Sequence, residues 1–216
     1  MAKDGERIAT IDSLREVPWE SLSPSALVDF VLLFACNKPA IRLIAKSKNG
    51  IDALARWCSN SGFDFASDFE AYVCVAREPG DAIRVLEIDQ RPDSHEFVLG
   101  RALGYPACCC ESVAAAGESN IDAHAENVAT WPFSGQYRRI NPSGYRDGRA
   151  LISHLPCHPA CDASLAIANQ ARAFLLAHRR EPILFKLCNS SVVTTEGYVY
   201  QEVQSASNDV SKLCKP

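Results

Sequence analysis

Apolar and polar positions divide the chain into stretches of different texture. After a charged leader, SLSPSALVDFVLLFACNK carries dense apolar residues behind Ser23 and Pro24, which suit an N-cap and a first helical position. Pro39 restarts the chain, and PAIRLIAKSK and NGIDALARWCSNSG continue a helical pattern, punctuated by Asn49-Gly50 and Gly62. The pattern predicts a helical N-terminal part over 20–62. From Glu70 it changes: AYVCVAR and AIRVLEI are short, rich in β-branched residues and separated by the turn-like EPGD, which predicts a β-hairpin.

Three helices follow in the reading. SHEFVLGRALG is capped by Ser94 and stopped by Gly104, YPACCCESVAAAG runs from Pro106 to Gly117, and NIDAHAENVATW is the third. Residues 132–149 hold three glycines and two prolines without an apolar period, so they form a long loop of the kind that carries function or moves. Beyond it, ALISHL reads as a strand and HPACDASLAIANQARAFLLAHRR as a long amphipathic helix. PILFKLC, SVVTT and YVYQEV read as closing strands, with a loose tail over 204–216. The expected fold is α+β: one domain over 1–216, a mostly antiparallel sheet, and two cysteine-bearing helix N-termini converging on one site.

Composition narrows the function classes. With 47% hydrophobic and 22% charged residues, the 216-residue chain has the make-up of an ordinary globular domain. A net charge of -4 gives no electrostatic footprint for nucleic acid. The leader lacks the apolar core of a secretory signal, and the longest apolar run is too short for a bilayer and contains Asp29. The expectation is a cytoplasmic protein with neither nucleic-acid nor membrane partner, and an oligomeric state left open. No Gly-rich phosphate loop, dinucleotide fingerprint or serine nucleophile elbow is present.

The ten cysteines change the picture most. A cytosolic chain with its own core needs no disulfide staples, so clustered cysteines point to metal binding or thiol chemistry. Cys36, Cys58, Cys74, Cys188 and Cys214 sit singly in apolar or terminal contexts and read as packing residues. The rest fall in two segments that share Pro-Ala-Cys, GYPACCCE and HLPCHPAC. Proline suits the first helical turn, which would put Cys108 and Cys161 near exposed backbone N–H groups that favour thiolate. Residues 100° apart cannot all face one point; Cys110, on the face of Val113 and Ala114, reads as the buried one. Cys108, Cys109, His154, Cys157 and Cys161 are the candidate metal ligands.

LGYPACC, and HLPCHPAC with Ser164 following, resemble the two signature blocks, LGYP-x-C-C and H-x-P-C-x3-C-x2-S, of a family of archaeal and bacterial cytoplasmic proteins. The resemblance singles out the same four cysteines and His154, and Cys110 lies outside it. Soft ligands at two helix starts suit an iron–sulfur cluster or zinc. The first expectation is an iron–sulfur enzyme acting on a small anionic molecule by sulfur transfer, desulfurisation or related redox chemistry, motivated by more thiols than a closed zinc site needs. Cys109 and Glu111, three positions after Cys108, are its candidate catalytic residues, and Arg138, Arg139 and Arg146 of the long loop its substrate clamp. The alternatives are a structural zinc site in a binding or scaffold protein, and a metal-free thiol oxidoreductase.

Overall fold

The computed structural model describes residues 11–35, 38–91 and 96–178, with short strands at 192–193 and 199–200. Helix α1, Ala26–Ala35, is preceded by two 3-10 turns and leads into strand β1, Ala40–Ile44. Helix α2, Lys48–Ser61, is capped by Ser47, whose hydroxyl accepts the Gly50 N–H, and ends at Gly62 in the left-handed region. Strands β2, Asp64–Ser67, and β3, Tyr72–Ala76, follow as a hairpin. Asp68 makes its turn, with one carboxylate oxygen accepting the backbone N–H groups of Glu70, Ala71 and Tyr72.

The sheet has the order β1-β3-β2, antiparallel throughout, with Leu43 opposite Val73 and Phe65 opposite Val75. Strand alternation splits its side chains between two cores. Ile41, Leu43, Val73 and Val75 join the larger core with Phe30 of α1 and Leu54 and Trp57 of α2. Ala40, Ala66, Cys74 and Ala76 face the other way, onto Ala82, Val85 and Leu86 of helix α3, Asp81–Gln90. Small residues on that face let the helix lie close to the sheet.

Helices α4, Glu96–Ala102, α5, Ala107–Ala116, and α6, Ile121–Ala129, form a second layer. The long helix α7, Asp162–Ala177, packs on α1. Strands β4, Val192–Val193, and β5, Val199–Tyr200, form a separate antiparallel pair. The class is α+β, as the sequence predicts. Among the described residues, no helix is long and apolar enough to cross a membrane.

Four local expectations are corrected. Within PAIRLIAKSK, Ala40–Ile44 is strand β1, because Ile41 and Leu43 face one core and Ala40 the other, which a short apolar run does not reveal. AIRVLEI is helix α3, where Ala82, Val85 and Leu86 recur at helical spacing and packing overrides β-branched propensity. The hairpin partner of AYVCVAR is therefore DFAS, before it in the chain. ALISHL is buried but irregular. Of the closing strands, SVVTT and YVYQEV contain β4 and β5. PILFKLC, the Ser94 cap, the tail over 204–216 and Cys36, Cys188 and Cys214 lie outside the described residues.

Candidate metal centre

Helix α5 begins directly after Pro106, whose carbonyl accepts the N–H groups of both Cys109 and Cys110 at 3.0 Å. Cys108 and Cys109 are thus the second and third residues of the helix. The second Pro-Ala-Cys is placed differently. Pro159 does not open α7; it lies in a turn closed by the Cys161 N–H on the His158 carbonyl, and Cys161 is the N-cap. Cys157 sits ahead of that turn. The shared tripeptide therefore delivers one sulfur from inside a helix and one from its threshold.

These two starts bring the sulfurs of Cys108, Cys109, Cys157 and Cys161 within 4.8 Å of one another, a group able to hold a metal ion. Cys108 and Cys109 are 3.9 Å apart, Cys108 and Cys161 3.9 Å, and Cys109 and Cys161 3.7 Å. Cys109 and Cys161 are buried, Cys157 is half-buried and Cys108 is exposed. Cys110 points away: its thiol donates to the Tyr105 carbonyl and lies against Gly100 of α4. Both Cys109 and Cys110 are buried, one in the site and one in helix packing.

Ser164, one turn into α7 and fully buried, ties the centre to its surroundings. Its hydroxyl donates to the Cys161 sulfur at 3.3 Å and lies 3.3 Å from the Cys109 sulfur, and His154 Nε2 is 2.9 Å away. His154 is therefore not among the four clustered residues; it stands one hydrogen bond behind them. Burial, with the nearby Lys38 charge, pushes its imidazole down to about 3. It is neutral, so its Nε2 proton can go to the Ser164 oxygen while the serine proton goes to sulfur.

The thiols respond unequally to burial. Burial pushes Cys109 up, and pushes Cys157 up to about 12. Burial also acts against the Cys161 thiolate, but the Ser164 hydroxyl and backbone N–H and the neighbouring thiols bring it down to about 7. Cys161 is poised as an anion while burial holds back Cys109 and Cys157, a condition that a bound cation relieves.

A cavity of about 650 Å³ adjoins the centre, and Cys109 lines it. Behind part of its wall lies a second buried cluster that the sequence did not reveal. The Lys38 ammonium is 3.3 Å from an Asp29 oxygen, donates to the Ser153 hydroxyl at 3.0 Å and lies 4.7 Å from the Tyr105 ring centre. Tyr145 donates to the other Asp29 oxygen at 2.6 Å. Burial pulls Lys38 down, but Tyr105 and Asp29 more than offset it and leave the ammonium favoured. Asp29 was visible as the acid in an apolar run, Tyr105 lies inside LGYP, and Ser164 follows the second block; nothing local marked Lys38 or Ser153.

The remaining candidates fall outside the cluster. Glu111 is exposed on α5. The arginine loop is docked by 3-10 turns at Gly135–Ile140 and Tyr145–Asp147, with Tyr137 donating to Asp162. Arg139 donates to Asn169 of α7 at 2.6 Å, Arg138 is exposed, and Arg146 alone of the three lines the cavity. Comparison with known proteins finds no matching family model, curated protein or solved structure.

Proposed function

We propose that this is a metal protein whose four cysteines hold one tetrahedral ion, zinc before ferrous iron, in the wall of a small-molecule cavity. The sulfur separations carry the reading. Four thiolates about 2.3 Å from a single zinc form a tetrahedron with edges of about 3.8 Å. Three of the pairs, at 3.7, 3.9 and 3.9 Å, fit that edge. An iron–sulfur cluster places several irons and sulfides between its thiolates and needs a wider set. The surplus of thiols that favoured a cluster also has another account, since Cys110 serves the contact between α4 and α5.

A bound ion would keep the four ligands as thiolates and join the start of α5 to the threshold of α7. Ser164 and His154 would orient two of them, the role of hydrogen-bonding partners around a metal. Because Cys109 belongs to both centre and cavity, a molecule in the cavity would lie beside a metal thiolate. Chemistry on a small anionic molecule is the activity this arrangement supports. The exposure of Cys108 in front of buried Cys109 and Cys161 favours a second reading, a metal-free attacking thiol with resolving partners.

Anaerobic purification followed by zinc, iron and acid-labile sulfide analysis, with cobalt substitution in wild type and Cys157→Ala, tests both. One zinc per chain and a four-thiolate cobalt spectrum altered in the variant are expected. A brown protein containing sulfide would return the site to an iron–sulfur cluster and sulfur chemistry. Absence of metal with a reversible disulfide would favour the thiol reading.

A further inference from the structure

We infer that the 650 Å³ cavity binds a small amphiphile, an apolar body with a single carboxylate-type head. The inference deepens the reading above by naming the ligand class, and rests on it only for the ligand's place beside a metal thiolate. Ligand sites of this kind run from about 300 to 1,000 Å³ and are mainly apolar, with a few polar groups fixing orientation. Here Leu99 and Leu103 from α4 and its end, Val113 from α5, Ile121 from α6 and Leu155 supply the apolar surface. An aliphatic chain or aromatic ring is the body they fit.

The head is chosen by charge. Among the described lining residues there are two guanidinium groups, Arg42 and Arg146, and one carboxylate, Glu96. Arg42 is held in place by Asp89 at 2.5 Å and by stacking on Tyr72. Arg146 has a long, solvent-exposed pair with Asp122 at 3.5 Å, an interaction weak enough to exchange for a ligand. The hydroxyls of Ser23 and Ser25, 2.9 Å apart, line the same cavity. The remaining polar lining is already engaged, with Ser153 taken by Lys38 and His154 facing Ser164 with a neutral ring. With Arg42 already neutralised by Asp89, Arg146 is the one exchangeable guanidinium among the described residues at the cavity, which suits a monoanion; a polyphosphate would find too few cations and too much hydrocarbon.

The test uses the full chain loaded with cobalt and titrated with 8-anilinonaphthalene-1-sulfonate, whose fluorescence reports an apolar body with one anionic group. Saturable binding is expected, with decanoate displacing the probe at a concentration about tenfold or more below that of decan-1-ol. Val113→Trp, which fills the cavity, should weaken the probe about tenfold, and Arg146→Glu should weaken decanoate by a similar factor while leaving decanol unchanged. Arg146 is exposed, so its variant reads recognition without threatening the fold. Absence of saturable binding, equal competition by acid and alcohol, or wild-type affinity in both variants would overturn the inference. Loss of the cobalt spectrum with probe binding intact would overturn the metal reading instead.

Discussion

Two buried polar clusters meet at consecutive residues, Ser153 serving one and His154 the other. The cluster of Asp29, Lys38, Tyr145 and Ser153 is closed: the ammonium and the carboxylate face each other, and hydroxyls take further positions on both. The cluster of cysteines is open in a chemical sense. Its sulfurs have chiefly one another and Ser164 for partners, and these are weak hydrogen-bonding groups. The difference teaches where each gains its stability. Opposite charges complete the first, whereas the second is a group that a metal cation could complete.

The largest expected effect separates the two directly. Removing the metal with a chelator, or Cys161→Ser, should lower the melting temperature steeply, since structural thiolate sites contribute many kcal/mol to folding; thermal unfolding followed beside metal content checks it. If stability is unchanged without metal, the contrast with the closed cluster fails. Lys38→Ala should come next, at about 3–5 kcal/mol, because Asp29 keeps its buried charge without a counterion. Lys38→Met combined with Asp29→Asn, which removes both charges and retains an acceptor for Tyr145, should recover much of that loss in denaturant unfolding.

His154 sharpens the comparison through pH. Its folded imidazole is held down to about 3 by burial and by Lys38, so the unfolded chain takes up a proton that the folded chain refuses. The neutral ring's contribution is complete above about 6.5 and is lost as pH falls toward about 3, with a slope of up to about 1.4 kcal/mol per unit. The wild type should therefore lose stability across this window faster than His154→Asn, measured by urea unfolding at successive pH values. The smallest effect belongs to the exposed pair: Asp122→Ala, which releases Arg146, should stay within about 0.5 kcal/mol of wild type.

The cysteine cluster was far more legible in the sequence than the charged cluster. Proline before cysteine, glycine after alanine and the spacing of four thiols are local signals, and they located α5 and the grouping itself. They did not locate the boundary of α7, because a proline can sit in the turn before a helix as well as in its first turn. The charged cluster joins Lys38 to Ser153 and Asp29 to Tyr145 across 115 and 116 positions of chain, and no local period encodes such a pairing. Strand β1 and helix α3 were exchanged for a related reason. Each is too short for its period to outweigh the composition of its residues, and contact with the sheet decided both.

Gly100 and Cys110 give the third cysteine of the run a meaning of its own. A methyl group built on Gly100 would come within 2.7 Å of the Cys110 sulfur, so the two side chains compete for one small volume. The packing limits the sum of their volumes. Across evolutionary variants that keep this fold, position 100 should grow only when position 110 shrinks, a covariation independent of the neighbouring thiols. Cys110→Ala should make Gly100→Ala tolerable, and the pair would drift together independently of Cys108 and Cys109.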